Sequence, residues 1–392
     1  ISFNVMRGCV MSKNEVNLFS PLIDSLAEAT KVTVKAIAKC LGVNYYDFKG
    51  LFRNMKFKNE DEVYPQLYKR DDNDYFDIFK FSVPMGMSIS DFEKKSDAFA
   101  QFFKVGTNKL RFETEGGLAV IKVMKDTNIS YDYSVDMKRN DFKIPLGRNL
   151  NDNSEVLWDI IKSSNTHCYI AGSTGGGKTV MLRLILTHLI NSKGPADVQL
   201  LLQNTKYVDL KMFKDARNTI FYNEGREGII ELLENEVKEM DRRYALINKW
   251  DCDDIGEYRS KVGKLPYRFI VIEELSSYKT DDEGKVNKRF YSLLEDLSAR
   301  GRGSGQILIL TTQLPSKDVL PNFIKNNINS TIGLMCKDAI RSEIVAGPDS
   351  GLEKLKGNGH AKLFPGDIEF QGYYISKDVA NEIVSNNLKR GR

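Results

Sequence analysis

Residues 172–179 read Gly172-Ser173-Thr174-Gly175-Gly176-Gly177-Lys178-Thr179, and their setting leaves little freedom in what surrounds them. A short apolar strand, Cys168-Tyr169-Ile170-Ala171, precedes the octet. A helix with apolar residues at Val180, Leu182, Leu184, Ile185, Leu186 and Leu189 follows it. Strand, glycine loop and helix together form an anion cradle. Glycines let backbone N–H groups turn inward, and the helix N-terminus adds its partial positive charge. In such a loop Lys178 reaches the β- and γ-phosphates, and the Thr179 hydroxyl holds Mg²⁺. The sequence therefore predicts a nucleoside triphosphate site on an α/β scaffold.

Composition sets looser bounds. A chain of 392 residues has room for two or three domains. No apolar run approaches the ~20 residues needed to cross a bilayer. The net charge of +4 announces no nucleic-acid partner by itself, although a channel can be locally basic in a nearly neutral protein. Cys9, Cys40, Cys168, Cys252 and Cys336 are scattered and form no CxxC, and the histidines are His167, His188 and His360. This pattern reads as reduced thiols in the cytosol, with no zinc site or disulfide framework. The opening residue Ile1 suits a processed or partial chain, with any membrane helices upstream of it.

Three regions are expected. Residues 1–70 read as a helical N-terminal region, with a helical pattern over 13–56 and charge runs at 56–62 and 69–74 that read as solvated loops. Residues 71–143 read as a small α+β domain: a strand at 75–84, a helix over 88–103, and a hairpin of 109–113 with 118–123 around Gly116-Gly117. Residues 144–392 read as an ATPase-type core in which buried strands alternate with helices around a mainly parallel sheet. The expected strands are 167–171, 198–203, 268–273, 306–312, 330–336, 361–364 and 369–375. Between them, 228–250 is a helix with Ile229, Leu233, Val237, Met240, Tyr244 and Ile247 on one face.

A glycine-loop site also needs carboxylates for metal and water. Arg268-Phe269-Ile270-Val271-Ile272-Glu273-Glu274 supplies two at the carboxyl end of a strand, where open α/β sheets bind ligands. Glu273 is the candidate Mg²⁺ ligand, directly or through water, and Glu274 the general base that polarises the attacking water. A third strand ends at Thr311-Thr312-Gln313; Gln313 is either a γ-phosphate sensor or a surface glutamine. Before that strand lies Arg300-Gly301-Arg302-Gly303-Ser304-Gly305, which reads as the source of an arginine finger acting in trans or as a flexible basic loop.

Together GSTGGGKTV, RFIVIEEL and ARGRGSGQILILTTQLPS resemble the motor domain of the FtsK/SpoIIIE DNA translocases. Lys238-Glu239-Met240-Asp241-Arg242-Arg243-Tyr244 and Pro321-Asn322-Phe323-Ile324-Lys325-Asn326-Asn327-Ile328 add to the likeness, which covers residues 144–380. The resemblance implies a RecA-like ATPase that forms a homohexameric ring around double-stranded DNA, held without regard to sequence. It places Lys178 and Thr179 on phosphate and Mg²⁺, Glu274 as base, Gln313 as sensor and Arg302 as the trans finger. The usual Asp-Glu pair is Glu273-Glu274 here.

The sequence ends at Arg392, where chromosome translocases of the family continue into a winged-helix module. That shifts the expectation towards conjugative coupling ATPases of the TcpA-like group. These are anchored at the inner face of the cell membrane by upstream segments, and they feed DNA to a secretion channel. Chromosome partitioning, protein secretion, and a platform that recruits a relaxase or channel proteins are the alternatives. Lys285, Lys288 and Arg289 are candidate phosphate contacts for DNA, although the interspersed acids make the segment read better as a solvated face.

Overall fold

The computed structural model describes residues 46–72, 76–125, 131–162, 166–206, 209–281 and 283–388. Most of the helical pattern expected over 13–56 lies outside the described residues. Its last part forms a short helix, α1 (Phe48–Asn54), whose first turn is capped by Asp47 Oδ1 accepting from Gly50 N at 2.9 Å. The chain divides into two compact units between Ile129 and Ser130.

In the smaller unit, β1 (Gln66–Asp72) and β2 (Phe76–Ser82) precede α2 (Ile89–Glu93) and α3 (Ser96–Phe103). The hairpin β3 (Leu110–Glu115) and β4 (Leu118–Met124) follows. The four strands form an antiparallel sheet in the order β1-β2-β4-β3. Its buried face and the helices enclose an aromatic core of Phe48, Phe52, Phe57, Phe79, Phe81, Phe92, Phe99 and Phe103. Phe79 and Phe103 stack at 5.1 Å, and Phe57 meets Phe92 edge-on at 4.8 Å.

Two expectations change here. The charge run at 69–74 begins as the end of edge strand β1 rather than as a loop, so the boundary expected at residue 70 falls inside a strand. An edge strand tolerates charge because its outer side faces water, and Arg70 pairs with Asp77 on β2 at 3.3 Å. The boundary expected at residue 143 also moves, since Tyr133 packs in the core of the larger unit.

That unit carries β5 (Lys143–Asn149), β6 (Glu155–Asp159), β7 (Cys168–Ala171), α4 (Lys178–Ser192), β8 (Val198–Asn204) and β9 (Thr219–Glu224). Then come α5 (Ile229–Lys249), α6 (Ile255–Lys261), β10 (Tyr267–Ile272), α7 (Lys288–Ser304), β11 (Gln306–Thr312), α8 (Asn322–Lys325) and β12 (Ser330–Leu334). It closes with α9 (Ala339–Ala346), β13 (His360–Phe364), β14 (Ile368–Gly372) and α10 (Lys377–Ser385). The ten strands form one sheet in the order β6-β5-β14-β13-β12-β7-β11-β10-β8-β9. From β12 to β9 every neighbour is parallel, whereas β13, β14, β5 and β6 pair antiparallel. The last two expected strands, 361–364 and 369–375, are thus an antiparallel hairpin.

The parallel strands are covered on both faces, which explains their unbroken apolar runs. Phe269 and Val271 point towards α4 and α10, and Ile270 and Ile272 point towards α5 and α7. Each fully buried Leu or Ile in these layers contributes about 1.5–3 kcal/mol relative to exposure. Helix α4 is sunk deepest, with Leu184, Ile185 and Leu186 fully buried. It is held beneath β7, and the glycine loop at its N-terminus is held with it.

Candidate functional site

Parallel pairing decides which residues meet. β7 lies between β11 and β12, and β10 lies between β11 and β8, so the loops after β7, β8, β10 and β11 all open at one sheet edge. The register Thr312↔Ala171 and Ile272↔Leu310 brings the glycine loop, Glu273-Glu274 and Thr311-Gln313 level.

The glycine loop is braced from outside. Asn358 N donates to Gly175 O and Gly359 N to Gly176 O, both at 3.0 Å, and Ser173 N donates to Met335 O at 2.7 Å. Gly177 has φ +105°, and a Cβ there would lie 2.6 Å from Gly359 N, so glycine is required on both counts. Gly172 is packed as tightly, with Leu334 Cβ 2.6 Å from where its own Cβ would be. The amides of Thr174, Gly175, Gly177 and Lys178 find no protein acceptor among the described residues. These free donors line up at the start of α4, as an anion cradle requires.

Lys178 is 5 % exposed and reaches across to the next strands. Its Nζ lies 3.3 Å from Glu274 Oε2 and from Thr311 Oγ1, and donates to Glu273 O at 3.2 Å. Burial depresses its basicity, and the charge of Glu274 works against that. Glu274 also accepts from Thr312 Oγ1 at 2.6 Å, Ser276 Oγ at 2.8 Å and Gln313 N at 3.1 Å. Burial alone would raise the Glu274 carboxyl, but Lys178 and these donors hold it below the usual range.

Glu273 moves the other way. Burial raises it, against the pull of Lys178 and Lys206. One of its oxygens accepts from Lys206 N at 3.0 Å, and Oε1 has no hydrogen-bond partner while lying 3.5 Å from Lys206 Nζ. Two residues that sequence reasoning missed complete the cluster. Lys206 Nζ stands 3.7 Å from Glu274 Oε2, and Asp209 Oδ2 accepts from Thr179 Oγ1 at 3.1 Å. Both follow β8, the parallel neighbour of β10; a charged pair just past the end of a buried strand was the available signal.

The donor set suits Mg²⁺. Thr179, Glu273 and Asp209 offer only oxygens, and Glu273 Oε1 is a buried oxygen without a hydrogen-bond partner. Among the described residues no three acidic, Cys or His side chains form a protein-only cage. That fits an ion whose remaining ligands are phosphate oxygens and water.

Arg302 stands elsewhere. The segment read as a possible flexible loop is the last turn of α7, and it leads into the amino end of β11. Seven extended residues at about 3.3 Å each put Arg302 roughly 20 Å from the glycine loop, on the opposite sheet edge. Its charge instead adds to burial, the larger effect, in lowering the His167 imidazole at the foot of β7 to about 4.

The Lys238–Tyr244 stretch of α5 explains this rigidity. Asp241 pairs with Arg300 at 2.9 Å, Tyr244 donates to Arg300 O at 2.6 Å, and Arg243 donates to Ser304 O at 2.9 Å. A Cβ on Gly303 would lie 2.5 Å from the Tyr244 hydroxyl, so that glycine serves close packing.

Comparison with known proteins now bears directly on this geometry. The profile of the FtsK/SpoIIIE family matches residues 128–347, more than half of the chain. The chain belongs to the FtsK/SpoIIIE family. DNA translocase FtsK of Borreliella burgdorferi is 32 % identical over 268 residues, covering 64 % of this chain and 33 % of that protein. DNA translocase FtsK of Treponema pallidum is 31 % identical, covering 62 % of this chain and 31 % of that protein. The chain therefore spans about a third of the curated relatives it matches.

Among solved structures, the fold is similar to pCW3 conjugation coupling protein TcpA in its monomer form with ATPγS. The TM-score is 0.59 at 22 % identity, covering 86 % of this chain and 97 % of that one. It is also similar to EssC from Geobacillus thermodenitrificans, with a TM-score of 0.57 at 15 % identity, over 67 % of this chain and 51 % of that one. Both likenesses establish the α/β fold of a P-loop ATPase.

Proposed function

We propose that this chain is the ATP-hydrolysing motor of a DNA-transporting machine, built as a homohexameric ring that moves double-stranded DNA without reading its sequence. The observation that carries the reading is the buried trio Lys178, Glu274 and Thr312 with the Gln313 amide beside it at one sheet edge, and Arg302 fixed on the other. Lys178 and the free loop amides bind phosphate, Glu274 takes the proton of the attacking water, and Gln313 reports the γ-phosphate. Thr179 and Glu273 would hold Mg²⁺, with Asp209 orienting the Thr179 hydroxyl, and the ion would supply charge neutralisation at the phosphates. Arg302 is too far from its own glycine loop to serve it, so it acts on the nucleotide of the neighbouring subunit.

Within the family, conjugative coupling is the favoured role. The fold match to a coupling protein runs over 86 % of this chain, more than the larger unit alone occupies. In that role the ring sits at the inner face of the membrane and serves a secretion channel and a relaxase. Lys285 and Arg289 are engaged with Glu283 and Glu234 at the surface, so no DNA-contacting residue is assigned.

The test is the ATPase rate with duplex or single-stranded DNA, using Lys178→Ala as blank. Duplex stimulation that vanishes in the variant supports a DNA motor. Lys178-dependent turnover indifferent to both nucleic acids removes DNA as the cargo and points to protein transport or recruitment.

A further inference from the structure

The phosphate cradle accounts for only one end of its cavity. A space of about 380 Å³ runs from the glycine loop past Val180 to Asn358-Gly359 and Gly372-Tyr373-Tyr374. That lies within the ~300–1,000 Å³ of small-molecule sites and exceeds what a phosphate group fills. Gly372, at the end of β14, is packed closely where it meets the cavity: a Cβ there would lie 2.9 Å from Met181 Cε and 3.0 Å from Gly359 O.

The two tyrosines at that end behave oppositely. Tyr373 is 2 % exposed, its hydroxyl donates to Glu155 Oε1 at 3.3 Å, and the Arg148 guanidinium lies 5.8 Å from its ring. It belongs to the core. Tyr374 is 55 % exposed and borders the cavity. Its backbone is pinned on both sides, its N–H donating to Tyr131 O at 2.7 Å and its carbonyl accepting from Tyr133 N at 2.8 Å. The result is a large aromatic face left half in solvent on a fixed strand end.

We infer that Tyr374 is the platform on which the nucleobase stacks. This rests on the nucleotide reading above and names the part of the site that holds the base. Stacking on an aromatic face contributes ~1–3 kcal/mol per base and tolerates any base, so Tyr374 adds affinity and leaves discrimination to other contacts. A purine, with the larger face, gains more than a pyrimidine.

Calorimetric titration of the full chain tests this with two ligands, a β,γ-imido analogue of ATP and inorganic tripolyphosphate. Tyr374→Ala should weaken the analogue about 5- to 150-fold and leave tripolyphosphate within about twofold; Tyr374→Phe should bind both normally. Three results would overturn the assignment. They are unchanged analogue affinity in Tyr374→Ala, equal loss of both ligands, and a loss in Tyr374→Phe matching that in Tyr374→Ala. Lys178→Ala binding both ligands like the unaltered chain would overturn the phosphate reading instead, whatever Tyr374 does.

Discussion

Lys178 Nζ stands 3.3 Å from Glu274 Oε2, so the cation assigned to the γ-phosphate is held by the carboxylate assigned to the attacking water. Both residues are nearly excluded from solvent, at 5 % and 6 % exposure. Two such charges in a poorly polarisable surrounding depend on each other, and removing one leaves the other costly to bury. In the proposed mechanism an arriving triphosphate would offer Lys178 a second anion and free one oxygen of Glu274 to accept a proton. Thr312, Ser276 and the Gln313 amide keep that carboxylate in place meanwhile.

Glu274→Gln separates these two duties. Glutamine keeps the shape and an acceptor for Thr312, but it cannot take the water's proton and no longer competes for Lys178. Turnover should fall at least ~100-fold, while ATP binds at least as tightly as before. Phosphate release and equilibrium binding measure the two separately. Near-native turnover would remove Glu274 from the base role.

Asp209 gives a different signature. Its Oδ2 accepts from Thr179 Oγ1 at 3.1 Å and so orients the hydroxyl expected on the metal. Groups that orient metal ligands typically matter ~10–100-fold in metal affinity or activity. Asp209→Asn should raise the Mg²⁺ concentration for half-maximal turnover about tenfold and leave nucleotide binding in EDTA unaltered. An unchanged Mg²⁺ titration would show that Asp209 only packs against the helix start.

What could be read from the chain follows from where the information sits. The glycine loop, the acids after β10 and the end of β11 were legible because each is a local string with its own strand. Lys206 and Asp209 were not, because they gain meaning only when β8 pairs with β10. Strands β9 and β6 escaped notice because they are the sheet's two edges, where one side is open and apolar runs are broken, and β5 did because Pro145 and Gly147 interrupt its apolar run. The arginine–glycine segment looked like a loop because glycine usually marks one. Here Gly301 and Gly303 sit inside a helical turn and make room for Gln306 O and the Tyr244 hydroxyl.

That turn yields a pH prediction. Glu239 accepts from Arg242 at 2.7 Å and Arg243 at 2.8 Å. Burial works to raise its carboxyl, yet the two guanidinium groups outweigh this and bring it to about 2. Because the folded value lies below the ordinary one, Glu239 stabilises fully above pH ~4.5, and the contribution fades as pH falls towards ~2. Glu239→Gln should cost on the order of 2–3 kcal/mol near pH 7, and the gap to the unaltered protein should close in acid. Trp158 and Trp250, the two tryptophans of the chain, both lie in the larger unit, so urea unfolding followed by their fluorescence reads it. A gap independent of pH would mean that shape, not charge, is what Glu239 supplies.

Arg302 makes a claim that only mixing can test. It lies at the amino end of β11, beyond reach of the glycine loop at the carboxyl edge of the same sheet. A finger that serves the neighbouring subunit lets one variant repair another. Arg302→Ala should bind ATP normally and turn it over on the order of 10³-fold more slowly. Lys178→Ala should be inactive for its own reason. Mixed in equal amounts, the two variants form about one interface in four that joins an intact glycine loop to an intact arginine, and turnover should reappear there. A finger serving its own subunit would give no recovery in mixed rings, and Arg302→Ala turning over at the native rate would end its catalytic role.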